Sequence, residues 1–282
     1  MRTPARHRFH QVDVFTAQPL KGNPLAVVHA ATDLDEETLA AFARWTNLSE
    51  TTFLLPATQP AADYRVRIFT PGGELPFAGH PTLGSCWAWL AAGGQPQDRQ
   101  VVVQECGVGL VRVRRGEDGR LAFAAPPLRR SGPLEDELLA RALDALGLAP
   151  AAVLHHQWLD NGPAWCGLLL RSAAEVLAVR PDMARLAGMK LGLVAAQAPG
   201  QDTQFEVRAF VPGLGVPEDP VTGSLNAGIA QWLIGAGLAP ALYVAAQGTA
   251  LGRAGRVHVQ QQGADIWIGG DVVACIDGEV TI

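Results

Sequence analysis

The stretch "RVRIFTPGGELPFAGHPTLGSCWAWLAAGG", residues 65–94, returns later in the chain as "EVRAFVPGLGVPEDPVTGSLNAGIAQWLIGAGL", residues 206–238. The offset is 141, from Arg208 minus Arg67. Over the twelve positions starting at Arg65, six are identical: Val66, Arg67, Phe69, Pro71, Gly72 and Pro76 against Val207, Arg208, Phe210, Pro212, Gly213 and Pro217. Average composition gives about one match by chance over such a span. Each copy reads as a strand, a Gly/Pro turn, and then a helical segment, residues 81–92 and 224–234, that is apolar nearly all the way round. A helix with no polar face belongs inside a core. The pattern therefore predicts a strand feeding a central helix, twice: an α+β chain of two similar domains.

Outside the repeat, the composition bounds the function. The 282 residues are enough for two domains, and 48% hydrophobic against 17% charged residues fills their cores. A formal net charge of -5, with lysine only at Lys21 and Lys190, excludes a grip on phosphate backbones, so no nucleic-acid partner is expected. Cys86, Cys106, Cys166 and Cys275 are scattered without metal-type spacing and read as reduced core residues. The opening "MRTPARHRFHQVDVF" leads into no apolar leader region, and no run reaches membrane-spanning length. The expected location is cytoplasmic, with no membrane partner.

The segment "APPLRRSGPLEDE", residues 125–137, is rich in proline and charge and sets the expected boundary, giving domains 1–126 and 127–282 with the final strand free to pack back on the first. Before it, "HQVDVFTA", "LAVVHA", "YRVRIF", "QVVVQEC", "GLVRVRR" and "RLAFAAP" read as strands; after it, so do "VLHHQWL", "WCGLLLR", "QFEVRAF", "ALYVAAQG", "GRVHVQQQ" and the closing stretch. Helices are expected over residues 36–46 and 135–146, the second stopped by Gly147.

Chemistry is sought at the mouths of the two central helices, expected to begin where the domains meet. Free N–H groups and the positive dipole end favour a carboxylate or phosphate there. The first mouth is "PFAGHPTLGS", with Gly79 and His80; the second is "PEDPVTGSLN", with Glu218, Asp219, Thr222, Gly223 and Ser224. Glu50 in "NLSETTF" is a third acidic candidate. Plainer duties compete: a helix end or strand cap for Ser49-Glu50, a turn for Asp219-Pro220, and N-capping for Thr222 and Ser224. His80 stands out, since a neutral imidazole at a helix start can donate or accept a proton. His155 and His156 lie in a strand-like run without metal-type partners and read as structural. The pairs Gly107/Gly109 and Gly213/Gly215 lack a dinucleotide fingerprint, and no metal or nucleotide cofactor is implied.

The motifs "VDVFTAQPLKGNPLAVV", "NLSETTF", "RIFTPGGELPFAGHPTLG", "EDPVTGSLNAG", "QGTALGRAGRVHV" and "IGGDVVACIDGEVTI" span nearly the whole chain. In that combination and order they resemble the phenazine biosynthesis PhzF family, within the diaminopimelate epimerase-like fold. The resemblance implies two pseudo-symmetric domains, each with a mostly antiparallel sheet around a central helix, a homodimer, and a cofactor-independent isomerase. The family's name-giving reaction isomerises trans-2,3-dihydro-3-hydroxyanthranilate by moving a proton between ring carbons. By resemblance, Glu50 carries that proton, His80 matches the family's histidine, and Asp219 and Ser224 match its aspartate and serine, with Gly79, Thr222 and Gly223 beside them. Cousins in the same fold use a cysteine at each helix mouth, and here neither mouth has one. Two-thiol racemisation is therefore not expected, and Cys86 is read as packing.

A carboxylate that removes a carbon-bound proton needs burial and donors that stabilise the developing charge. The expected function is thus proton transfer on a small cyclic carboxylate by Glu50, His80 and Asp219. Two alternatives stay open at this stage: an amino-acid racemase or epimerase working without thiols, and a small-molecule binding protein that performs no chemistry.

Overall fold

A computed structural model describes residues 5–213 and 217–282. The chain forms two compact units, Met1–Phe123 with Gly269–Ile282, and Ala124–Ile268. The expected division at residues 126 and 127 thus lies three residues later than the observed one. The chain's last strand belongs to the first unit.

In the first unit, β1 (Arg6–Val14) pairs antiparallel with β2 (Asn23–Val28). The chain crosses over through α1 (Glu36–Thr46) to β3 (Thr51–Leu55), parallel to β2. Next come β4 (Tyr64–Thr70), antiparallel to β3, and the short return strand β5 (Gly73–Leu75). A second crossover, α2 (Gly79–Ala91), leads to β6 (Val101–Cys106), parallel to β4, and the meander ends with β7 (Gly109–Arg115) and β8 (Leu121–Ala124).

The second unit opens with α3 (Asp136–Leu146) and then repeats the same pairings. Strand β9 (Val153–Asp160) is antiparallel to β10 (Ala164–Leu170); α4 (Ala173–Ala178) crosses to β11 (Lys190–Ala196), parallel to β10. Strand β12 (Phe205–Phe210) is antiparallel to β11 and carries the return strand β13 (Glu218–Asp219). Helix α5 (Gly223–Gly235) crosses to β14 (Leu242–Gln247), parallel to β12, and β15 (Gly255–Gln262) follows antiparallel. Each pairing among β1 to β7 has its counterpart among β9 to β15. The chain then runs through β16 (Asp265–Gly270) into β17 (Val272–Thr281), which pairs antiparallel with β1 from Arg6↔Thr281 to Val14↔Val272.

Local chemistry sets the element ends. Asp35 accepts from the Thr38 amide to start α1, and Asn47 in the left-handed region (φ 53) ends it. Helix α3 stops at Gly147 (φ 64), as its sequence predicts. The central helices begin slightly earlier than expected, at Gly79 and Gly223, so His80 and Ser224 are second helical residues. Both helices are buried along most of their length: Leu83, Cys86 and Ala88 in α2, and Leu225, Ile229, Ala230 and Leu233 in α5. Each such leucine or isoleucine contributes about 1.5–3 kcal/mol on burial. Both also carry a glycine at their sixth position, where the sheet comes close. A Cβ on Gly84 would lie 2.5 Å from Leu25 Cδ2, and one on Gly228 would lie 2.9 Å from Leu159 Cβ.

The identities that reveal the repeat have a structural cause. Arg67 sits over the Phe69 ring at 5.0 Å and grips Glu74 on the return strand through two hydrogen bonds of 2.8 and 2.6 Å. Arg208 sits over Phe210 at 4.8 Å and grips Glu218 on its return strand at 2.9 and 2.8 Å. The second pair is buried, and Arg208 also donates to the carbonyls of Val176 and Val179 at the end of α4. Glu218, at the second helix mouth, is therefore committed to holding the hairpin.

Candidate active site

In the first unit the loop after α1 brings Glu50 to the start of α2, where His80 Nδ1 lies 3.5 Å from Glu50 Oε2. Distance alone suggests an ion pair, but the ring is not charged. Burial is the main cause that pulls its pKa from 6.5 to about 3, against the opposing pull of a hydrogen bond to the Pro24 backbone. The imidazole is thus neutral throughout the physiological range, and its buried Nε2 has no hydrogen-bond partner in the described structure. The Glu50 side chain keeps 16% of its surface exposed, which leaves it open to a ligand. No side chain caps α2, and Gly79 and His80 supply its first two amides.

In the second unit, Asp219, Thr222 and Ser224 stand together around the start of α5. Thr222 occupies the N-cap position without capping: its hydroxyl donates to Asp219 Oδ2 at 2.6 Å and accepts from Gln247 Nε2 at 3.0 Å. Ser224 does not cap either. Its Oγ accepts from the Trp165 indole N–H at 3.0 Å, and its carbonyl accepts from Asn161 Nδ2 at 2.8 Å. The sequence reading of these two hydroxyls as caps is corrected by this geometry: stronger partners, a carboxylate and an indole, take them first. Gly223 is the first helical residue, buried beside them.

Gln104 and Gln247, both fully buried, are the residues that sequence reasoning passed over. Each lies on the strand that follows its central helix and reaches the fourth residue of that helix. Gln104 donates to Thr82 Oγ1 at 3.0 Å, and Asn226 Nδ2 donates to Gln247 Oε1 at 2.8 Å. A single glutamine inside an alternating strand carries no pattern that would mark it; only the second copy at a similar distance could have.

His156 Nδ1 accepts from the Leu134 amide at 3.0 Å, and Gly215 lies outside the described residues. All four cysteines are free; burial pushes the Cys86 thiol far up and that of Cys166 up to about 12, so neither is a ready base. Among the described residues, no three His, Cys, Asp or Glu side chains group to hold a metal ion, and no helix is long and apolar enough to cross a membrane.

The twice-built α+β fold, with a strand feeding a buried central helix in each unit, defines the epimerase-like class of folds. Comparison with known proteins agrees. The pattern of the phenazine biosynthesis-like protein family matches residues 12–278, and the chain belongs to that family. The trans-2,3-dihydro-3-hydroxyanthranilate isomerase of Pseudomonas aeruginosa is 34% identical over 263 residues, covering 92% of this chain and 91% of that protein. A Schizosaccharomyces pombe protein named antisense-enhancing sequence 1 is 34% identical over 292 residues, covering 97% and 98%. In fold, the crystal structure of a PhzF-family protein from Enterococcus faecalis superposes with a TM-score of 0.82 at 24% identity, covering 99% of this chain and 100% of that one. Several further relatives are named isomerases, and the chain is an enzyme of that class.

Proposed function

We propose that the protein moves a proton between two carbons of a small cyclic carboxylate, with trans-2,3-dihydro-3-hydroxyanthranilate as the leading candidate. The observation that carries this is the pairing of Glu50 with a neutral, buried His80 at an uncapped helix start. Glu50 takes the proton from one carbon and returns it to another, so no net proton is gained or lost. His80 and the amides of Gly79 and His80 supply hydrogen bonds to the charge that develops between the two steps. Asp219 and Ser224 orient the hydroxyl or amino group of the substrate, with Thr222 and Gly223 beside them. The same reading takes the enzyme as cytoplasmic, homodimeric and free of cofactor; light scattering measures the assembly.

The test is turnover in deuterated water followed by NMR, on a panel holding the dihydro-hydroxyanthranilate and common amino acids. Deuterium entering a ring carbon, and lost in Glu50→Gln, is the expected result. Exchange at an amino-acid α-carbon would replace the proposal with a racemase. Stabilisation by a panel member without any exchange would point to a binding protein.

A further inference from the structure

The carboxamide of Gln247 is saturated. Its Nε2 donates to Thr222 Oγ1 at 3.0 Å and to the Asp219 carbonyl at 3.1 Å, while its Oε1 accepts from the Thr222 amide at 3.0 Å and from Asn226 Nδ2 at 2.8 Å. Turning the amide over would set its oxygen against a carbonyl and its N–H groups against two other N–H donors. Only one orientation is satisfiable. Thr222 Oγ1 accepts from Gln247 and donates its own hydrogen to Asp219 Oδ2 at 2.6 Å, a separation in the short range of a hydroxyl donating to a carboxylate.

We infer that Gln247 and Thr222 are positioning residues that hold Asp219 in one orientation as an ionised hydrogen-bond acceptor. The chain of directions runs one way, from a buried amide that cannot flip, through a hydroxyl, to a carboxylate. A group that receives a donated hydrogen is stabilised in its charged form, so the arrangement opposes protonation of Asp219. It follows that the substrate presents a hydrogen-bond donor, a hydroxyl or an amino group, to this carboxylate. This last step rests on the proposed isomerase reading; the state of Asp219 itself does not.

The experiment therefore reads Asp219 directly. Carbon-13 NMR follows the side-chain carboxyl of Asp219, assigned by its disappearance in Asp219→Asn, across a pH titration of the whole chain. In Thr222→Val the midpoint is expected to rise by about one pH unit, and in Thr222→Ser it is expected to return to the parent value. Thr222→Ala replaces the valine variant should that one fail to fold. A midpoint that stays put when the hydroxyl is removed, or a serine variant that behaves like the valine one, would overturn the inference. Turnover of the dihydro-hydroxyanthranilate is measured in parallel: Thr222→Val is expected to raise KM about tenfold with a smaller change in kcat, and Thr222→Ser to restore it. Absence of turnover in the parent protein would count against the proposed substrate, and the titration would still decide the role of Gln247 and Thr222.

Discussion

His80 Nδ1 stands 3.5 Å from Glu50 Oε2, and the ring facing that carboxyl is neutral. Burial is what keeps it so. With a pKa lowered to about 3, the imidazole has no protonation step between pH 5 and 8. His80→Gln is therefore expected to lower kcat by about 100-fold while leaving the shape of the pH profile over that range unchanged. A limb near pH 6 that vanishes in the variant would show that the ring titrates after all.

A second group of histidines governs stability. His10 Nδ1 and His29 Nε2 are 2.8 Å apart, and His10 Nε2 faces Asp277 Oδ1 on β17 at 3.3 Å. Burial, then the neighbouring His10 and Arg8, lowers the His29 pKa to about 4 against the pull of Asp277; burial also lowers His10. The unfolded chain binds these protons near pH 6.5, before the folded one does. Stability is thus fully present above pH 6.5 and falls as pH drops from there through about 4. Urea melts are expected to show a loss of about 2 kcal/mol between pH 7 and 5 that shrinks in His29→Gln.

Alanine in place of a helical glycine normally stabilises by up to about 1 kcal/mol. At Gly228 the sign is expected to reverse, because the new Cβ meets Leu159 Cβ at 2.9 Å and the Leu159 carbonyl oxygen at 3.3 Å, atoms tied to the β9 backbone. A net cost of about 1–3 kcal/mol should appear in the melt of Gly228→Ala. Gly84→Ala meets side-chain methyls only, Leu25 Cδ2 at 2.5 Å and the Cγ2 atoms of Val14 and Val12 at 3.0 and 3.2 Å, with no backbone atom among them, and should cost less; equal costs would contradict the packing argument.

The twin arginine grips separate in the same way. Arg208→Ala strands the Glu218 charge inside the protein and is expected to cost about 3–5 kcal/mol. Arg67→Ala leaves Glu74, with 39% of its side chain in water, and is expected to cost below about 1 kcal/mol for the ion pair. Chemical denaturation of the two variants checks the difference.

What the sequence disclosed, and what it hid, follows from how many residues carried each signal. Six identities exposed the repeat because Arg67, Phe69 and their copies do the same structural work in both units. The two central helices were legible from their all-round apolar surface, yet they align at an offset of 144 (Gly223 minus Gly79), not 141, so matching stopped at the turn. Strand β11, "KLGLVAA", escaped notice because a glycine and two alanines dilute its strand character. Glu50, His80, Asp219 and Ser224 could be named from their motifs. Their hydrogen-bond directions could not, since Gln247 and Trp165 lie 28 and 59 residues away from the groups they fix.

The pairing of β1 with β17 also orders events during synthesis. Strand β1 leaves the ribosome before the second unit is made, while residues 272–281 emerge only after it. Translation delivers the second unit as an uninterrupted piece that can fold as it appears. The first unit, although its bulk is made earlier, waits with one side of β1 unpaired until the late strand arrives. The Ala5 and Ile282 backbones then exchange hydrogen bonds of 2.8 and 3.1 Å and close the unit. The half that is made first is the half that is finished last.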